Sequence, residues 1–274
     1  MSRKKLKDIY DLKQNNVGIT AITAYDASFA KYFDELNVDI LLIGDSLGEV
    51  IKGEKNTHSV TLKEIIYHAT AVSKSTKTSY LIADLPKISC KTPNQMIKDS
   101  LKLMTESKVN MIKVEFRKSN LKYISNFVKN NIPICCHLGL TPQYISNRNG
   151  YRKYGNTKKE RDSIVSMACN AEKLGAKIIL LECVSEIAVR EIKQRVGLPV
   201  IGIGCGNKCD GQIVVSYDIL GISFNTSKSN PQNLSTEPIC TFSSGECGFL
   251  IVGPKEIISK PGYLSFKMPH SNPA

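Results

Sequence analysis

Five apolar runs in this chain each end in an ionisable side chain: ILLIGD at Asp45, LIAD at Asp84, MIKVE at Glu115, ICCH at His137 and IILLE at Glu182. Short, continuous apolar runs suit strands that are buried on both faces, which is the condition of a parallel sheet. If the five strands all run the same way, the five groups emerge on one rim, where parallel α/β barrels keep their chemistry. Asp45, Asp84 and Glu115 then describe a site for a hard divalent cation, with Glu182 as a separate base.

The rest of the chain extends this pattern. Strand-like runs occur at 18–25, 39–45, 79–85, 110–115, 132–138, 177–183, 199–204 and 212–218, eight in all. Helical periodicity fills the gaps at Ser28 to Leu36, Leu62 to Lys74, Asn94 to Ser107, Asn120 to Asn130, Lys158 to Leu174 and Ser185 to Val196. Thr61 with Glu64 makes a capping box, Ser185 opens a helix-forming run, and Gly175 is placed as a C-cap. An open doubly wound sheet would want a glycine-rich turn after its first strand, whereas this one ends in TAYD. The expected fold class is therefore α/β, a (β/α)8 TIM barrel over residues 1–223, and 274 residues suffice for a fold that needs about 250. Residues 224–274, rich in Ser, Asn, Pro, Thr and Cys, read as a divergent tail, for which a divergent cap, a poorly ordered extension and an unrelated terminal sequence all stay open.

The net charge of +12 raises the question of nucleic acid, but the lysines are scattered over helix faces and no recognition motif accompanies them. Nucleic-acid binding is not expected. The densest basic cluster, Arg148, Arg152, Lys153, Lys158, Lys159 and Arg161, follows the fifth strand. Two readings of it stand: attraction of an anionic small ligand to the active rim, or a solvated loop running into a charged helix start. No apolar stretch reaches the length of a membrane span, and MSRKKLKDIY lacks the apolar core of a secretory signal. The nine cysteines, mostly inside apolar or helical segments, read as reduced thiols of a cytoplasmic protein. Cys240 and Cys247 lack the partners a zinc site needs.

Taken singly, an aspartate after an apolar run reads as a helix cap or turn residue. Asp45 and Asp84 at neighbouring strand ends, with Glu115 on the next, read better as ligands of one Mg²⁺ that keeps positions for water and substrate. Lys113 and Glu115 share a parity on their strand, so both face the barrel interior or both face the helices. The inward reading has Lys113 meeting a substrate carboxylate or a metal-bound oxygen. Glu182 is either a general base or half of a structural ion pair. His137 either bonds a bound oxygen or braces the rim. His58, His68 and His270 show no partner in sequence and are taken as incidental.

The segments ITAYD (22–26), GDSLG (44–48), ADLP (83–86), KVE (113–115), HLGLTPQ (137–143), LLECV (180–184), GIGCGN (202–207) and DGQ (210–212) resemble the ketopantoate hydroxymethyltransferase family, in order, over about residues 5–222. The resemblance implies a (β/α)8 barrel of the phosphoenolpyruvate/pyruvate superfamily, acting in pantothenate and coenzyme A biosynthesis. It implies a cytoplasmic homo-oligomer, commonly a decamer. The family's metal-binding acids fall on Asp45, Asp84 and Glu115, its keto-acid contacts on Asp45, Ser46, Asp84 and Lys113, and its proton acceptor on Glu182. His137 joins the substrate-binding set. The implied reaction is Mg²⁺-dependent: 3-methyl-2-oxobutanoate, an α-keto acid, receives a hydroxymethyl group from the folate co-substrate 5,10-methylenetetrahydrofolate and becomes 2-dehydropantoate. The basic loop at 148–161 would meet the glutamate tail of that folate.

The chain also departs from the family. Phe116-Arg117 stands where two glycines are usual, a change that raises the cost of any positive φ there and predicts a displaced Glu115. Asn149 precedes Gly150 and Tyr151 where two glycines are usual, and Tyr217 replaces a usual histidine. The long helix that closes the barrel in the family has no counterpart in 224–274. Two rivals remain. Related Mg²⁺-dependent lyases and mutases carry a Lys-Lys-Cys-Gly-His loop that is not present here, and a barrel degenerated into a scaffold would tolerate every departure.

Overall fold

Period two decides which side chains meet inside this molecule. The computed structural model describes residues 2–145 and 152–223. Its strands are β1 (Ile19–Thr23), β2 (Ile40–Ile43), β3 (Tyr80–Asp84), β4 (Met111–Glu115), β5 (Ile134–Gly139), β6 (Ile178–Glu182), β7 (Val200–Ile203) and β8 (Gly211–Val214). They pair in parallel in chain order, and β8 closes back on β1, giving the (β/α)8 barrel. Closure depends on Gly211, since a Cβ there would stand 2.5 Å from the carbonyl oxygen of Ile19.

Alternate residues of each strand fill the barrel: Ile19, Ala21, Ile40, Leu42, Tyr80, Ile82, Met111, Cys135, Ile178, Leu180, Ile201, Ile203 and Ile213 form one buried cluster. Asp84, Lys113, Glu115, His137 and Glu182 continue the same parity at the C-terminal ends, so the apolar stack is topped by a charged layer. The opposite parity, Leu41, Ile43, Leu81, Ala83, Ile112, Val114, Cys136, Leu138, Ile179 and Leu181, packs against the outer helices in a second cluster.

Those helices are α1 (Leu6–Gln14), α2 (Ala27–Glu35), α3 (Leu47–Val50), α4 (Leu62–Ser75), α5 (Pro93–Ser107), α6 (Ile124–Lys129), α7 (Lys158–Lys173), α8 (Glu186–Arg195) and α9 (Ser216–Ile219). The expected caps are present. Thr61 and Glu64 form the capping box of α4, Ser185 accepts from Ala188 N–H, and Gly175 follows α7 at φ +99°. Three departures from expectation have local causes. α1 places Ile9, fully buried, against the foot of the barrel with Leu6 and Leu12, so a stretch that looks merely basic is the bottom plug. Asn120–Asn130 divides into a 3₁₀ turn, Leu121–Tyr123, and the short α6. The last strand stops at Val214, because Ser216 N–H turns to Thr23 Oγ1 at 3.0 Å and starts α9.

Among the described residues no helix is long and apolar enough to cross a membrane. Cys90, Cys135, Cys136, Cys169, Cys183, Cys205 and Cys209 are free thiols. The tail 224–274, with Cys240, Cys247 and His270, and the positions Arg148, Asn149, Gly150 and Tyr151 lie outside the described residues.

Candidate active site

A cavity opens at the C-terminal rim, and Asp45, Ser46, Asp84, Lys113, Glu115, His137 and Glu182 all line it. Strand register brings them together: Asp84 is level with Lys113, Glu115 with His137, and Gly139 with Glu182. The inward reading of Lys113 and Glu115 holds. Asp45 lies just beyond β2, where its backbone N–H donates to Asp84 Oδ2 at 3.0 Å. Lys113 Nζ donates to Asp84 Oδ1 at 2.7 Å, so both oxygens of Asp84 are engaged.

With Phe116-Arg117 after it, Glu115 still lines the cavity. Neither residue has a positive φ; Phe116 is buried edge-on against Phe127 at 6.5 Å, and Arg117 lies 4.5 Å over the Tyr144 ring. Glu115 Oε2 accepts from the backbone N–H of Gln143 at 3.0 Å.

The electrostatics of this layer are those of excess negative charge. Asp45, Asp84 and Glu115 face one ammonium, Lys113, and all four are at most 6% exposed. Burial, and then the Asp84 carboxylate, push Asp45 up to about 7 against the pull of Lys113 and Gln143. Glu115 is likewise raised, by burial first and then by Asp45. Burial alone would lower Lys113, yet Asp84, Asp45 and Glu115 together raise it, so it stays charged. Among the described residues no three His, Cys, Asp or Glu side chains converge closely enough to hold an ion as they stand. The donor chemistry nevertheless suits a divalent cation: hard carboxylate oxygens outnumber the one ammonium, and the raised Asp45 and Glu115 are acids that a cation would help to ionise.

His137 is buried, and neither ring nitrogen has a hydrogen bond of acceptable geometry among the described residues. Nε2 stands 3.2 Å from Glu182 Oε2, and Nδ1 stands 3.8 Å from Glu115 Oε1. The Nε2 distance is short enough for a bond, but the contact is a close approach without hydrogen-bond geometry. Burial and then Lys113 depress this imidazole well below its usual range, leaving a neutral ring in the cavity lining.

Glu182 is placed by a strained turn. Cys183, next in sequence, sits at φ +52°, a left-handed conformation that costs a side-chain-bearing residue roughly 1–2 kcal/mol. Three bonds hold it there: Cys183 N–H to Ile203 O at 2.9 Å, Tyr154 N–H to Cys183 O at 2.7 Å, and Val184 N–H to Cys205 Sγ at 3.2 Å. Ser46, half-buried, shares a 2.8 Å hydrogen bond with the hydroxyl of Tyr25, whose ring packs edge-on against Tyr217 at 5.7 Å.

Several residues around the rim make contacts that sequence inspection missed. Gln143 bridges Asp45 and Glu115, and Glu49 lines the same cavity with its carboxyl raised to about 7 by burial, then Glu182 and Asp218. His58 and His68 are structural, donating to Pro142 O at 3.1 Å and Tyr25 O at 2.6 Å, and so are not incidental. In the basic cluster, Arg152 pairs with Glu160 at 2.6 Å and Arg161 with Glu191 at 2.9 Å, so part of its charge is used within the fold.

The family model described as Ketopantoate hydroxymethyltransferase matches residues 3–236. A 3-methyl-2-oxobutanoate hydroxymethyltransferase of Ruthia magnifica subsp. Calyptogena magnifica is 40% identical over 217 residues, covering 79% of this chain and 83% of the relative. The protein of the same name from Shewanella loihica is 40% identical over 223 residues, covering 81% and 84%. Among solved structures, a phosphonopyruvate hydrolase in complex with oxalate and Mg²⁺ shares the fold, with TM-score 0.61 at 11% identity over 81% of this chain and 83% of that one.

Proposed function

We infer the chemistry of this site from one premise: the chain belongs to the ketopantoate hydroxymethyltransferase family and is an enzyme of that activity. The donor is 5,10-methylenetetrahydrofolate, the acceptor is 3-methyl-2-oxobutanoate, and the products are 2-dehydropantoate and tetrahydrofolate, with one water consumed. The observation that carries this reading is the surplus of buried carboxylates over ammonium in a cavity that also holds the buried, neutral His137 beside Glu182.

Asp45 and Asp84, with Glu115 beside them, would hold Mg²⁺. The bound ion would act as a Lewis acid toward the negative charge that develops when the α-keto acid loses a proton. Glu182 takes that proton from the carbon next to the keto group. Water cleaves the methylene carbon from the folate nitrogens as formaldehyde, releasing tetrahydrofolate, and the enolate carbon adds to it, the new alkoxide taking up a proton to become the hydroxymethyl group. Lys113, kept charged by its acidic neighbours, faces the substrate carboxylate. His137, neutral and buried, donates one N–H to a substrate oxygen. Ser46 supplies a hydroxyl oriented by Tyr25. The apolar stack beneath, Leu42, Leu180, Ile203 and Ile213, keeps water from the foot of the cavity.

The same reading sets this protein in the cytoplasm as a homo-oligomer, a decamer by family habit, whose partners are small molecules and not nucleic acid. Its test is direct formation of 2-dehydropantoate from the two substrates. Product should appear with Mg²⁺ and stop on chelation; product formation that survives full chelation would remove the metal from the account.

A further inference from the structure

We propose that Gln143 is a positioning residue for this site, fixing the Asp45 and Glu115 carboxylates so that their remaining oxygens can receive a divalent cation. The inference rests on the Mg²⁺ reading above and deepens it. Gln143 lies beyond β5 in the 3₁₀ turn Pro142–Tyr144, and it is 2% exposed. Its amide Nε2 donates to Asp45 Oδ2 at 2.8 Å and to the Leu85 carbonyl at 3.0 Å, so both amide hydrogens are used. Its backbone N–H donates to Glu115 Oε2 at 3.0 Å. One residue thus ties together the ends of β2, β3 and β4.

The chemistry of the tie matters. A neutral amide holds a carboxylate without adding positive charge that would compete with an incoming cation, whereas Lys113 already occupies one oxygen of Asp84. The turn itself is pinned from outside. His58 Nε2 donates to Pro142 O at 3.1 Å, Arg117 donates to Tyr144 O at 3.2 Å while lying over its ring, and Asn120 Nδ2 donates to the Tyr144 hydroxyl at 3.0 Å. With both flanks held, Gln143 has no easy route away from Asp45. Groups that orient metal ligands in this way typically carry 10–100-fold in metal affinity.

The experiment is calorimetric titration of the full chain with MgCl₂ alone, for wild type, Gln143→Met and Gln143→Glu. Met keeps the bulk without the donors, and Glu keeps the shape but replaces the donor with an acceptor. Both variants should bind Mg²⁺ roughly 10–100-fold more weakly while unfolding cooperatively. A purely structural role would lower the unfolding midpoint and leave the Kd of the folded protein unchanged, and that result overturns the proposal. Wild type that binds no Mg²⁺ overturns the metal reading and this inference with it. If neither variant folds, Arg117→Ala decides, since it acts from the exposed surface: weaker Mg²⁺ binding supports the positioning chain, and an unchanged Kd refutes it.

Discussion

Replacing Lys113 with Met tests whether the rim is an electrostatic frame or a set of independent side chains. The ammonium stands 2.7 Å from Asp84 Oδ1, and the two side chains are 7% and 3% exposed. Removing one partner of a buried pair costs roughly 3–5 kcal/mol, because the other charge is left uncompensated. Met preserves most of the stem volume, so packing contributes little to the loss. Against a total stability of about 5–15 kcal/mol, such a loss is readily measured. Guanidinium unfolding followed by circular dichroism should show a lower midpoint at unchanged slope. Mg²⁺ should then restore part of the loss, about 2.7 kcal/mol at a hundredfold excess over its Kd, and more of it in the variant than in wild type. A loss below about 1 kcal/mol, the level of an exposed ion pair, would mean that Lys113 does not compensate the acids and the charge argument fails.

Asp34, 7% exposed, makes a second test away from the site. Burial alone would raise its carboxyl, but the N–H groups of Lys77 and Ser79, with the hydroxyl and N–H of Thr78, hold it down at about 2. A folded value below the unfolded one gives stability that is present above about pH 4 and lost as pH falls toward 2, worth on the order of 2 kcal/mol. Asp34→Asn should therefore lower the melting temperature at pH 7 and match wild type near pH 2; a gap independent of pH would contradict this. Gly139→Ala places a Cβ at φ +97° within 2.4 Å of the Glu182 carbonyl oxygen, and a shift of Glu182 by about 1 Å should cost about 100-fold in kcat. Wild-type kcat in that variant would show that the base tolerates displacement. Neutralising Lys153, Lys158 and Lys159 should raise KM for 5,10-methylenetetrahydrofolate and leave KM for 3-methyl-2-oxobutanoate unaltered, and an unmoved folate KM removes the role given to these lysines.

What the sequence made legible, and what it hid, divides along physical lines. Asp84, Glu115, His137 and Glu182 could be placed from spacing alone, because parity along a strand is fixed by the backbone and the preceding runs are apolar on both faces. The capping box of Thr61 and Glu64 and the placement of Gly175 were legible for the same reason, being contacts within a few residues. Gln143 was not. Its partners lie 98, 58 and 28 residues away, and a glutamine after Thr-Pro reads as an ordinary turn residue. Glu49 owes its raised carboxyl to burial near Glu182 and Asp218, which only the closed barrel brings about. Phe116-Arg117 misled in the other direction. The loss of two flexible positions reads as strain, yet the fold gives Phe116 a buried aromatic partner and Arg117 a ring to cover.

The claim at the centre is that Glu182 removes a proton from the carbon beside the keto group when a divalent cation is present. Deuterium exchange at that carbon of 3-methyl-2-oxobutanoate, followed by proton NMR in D₂O without folate, isolates this step. Wild type with Mg²⁺ should exchange, and Glu182→Gln, with its fold intact, should do so about 10²–10⁴-fold more slowly. Equal exchange rates for the two proteins, or no exchange by wild type with Mg²⁺, would contradict the account.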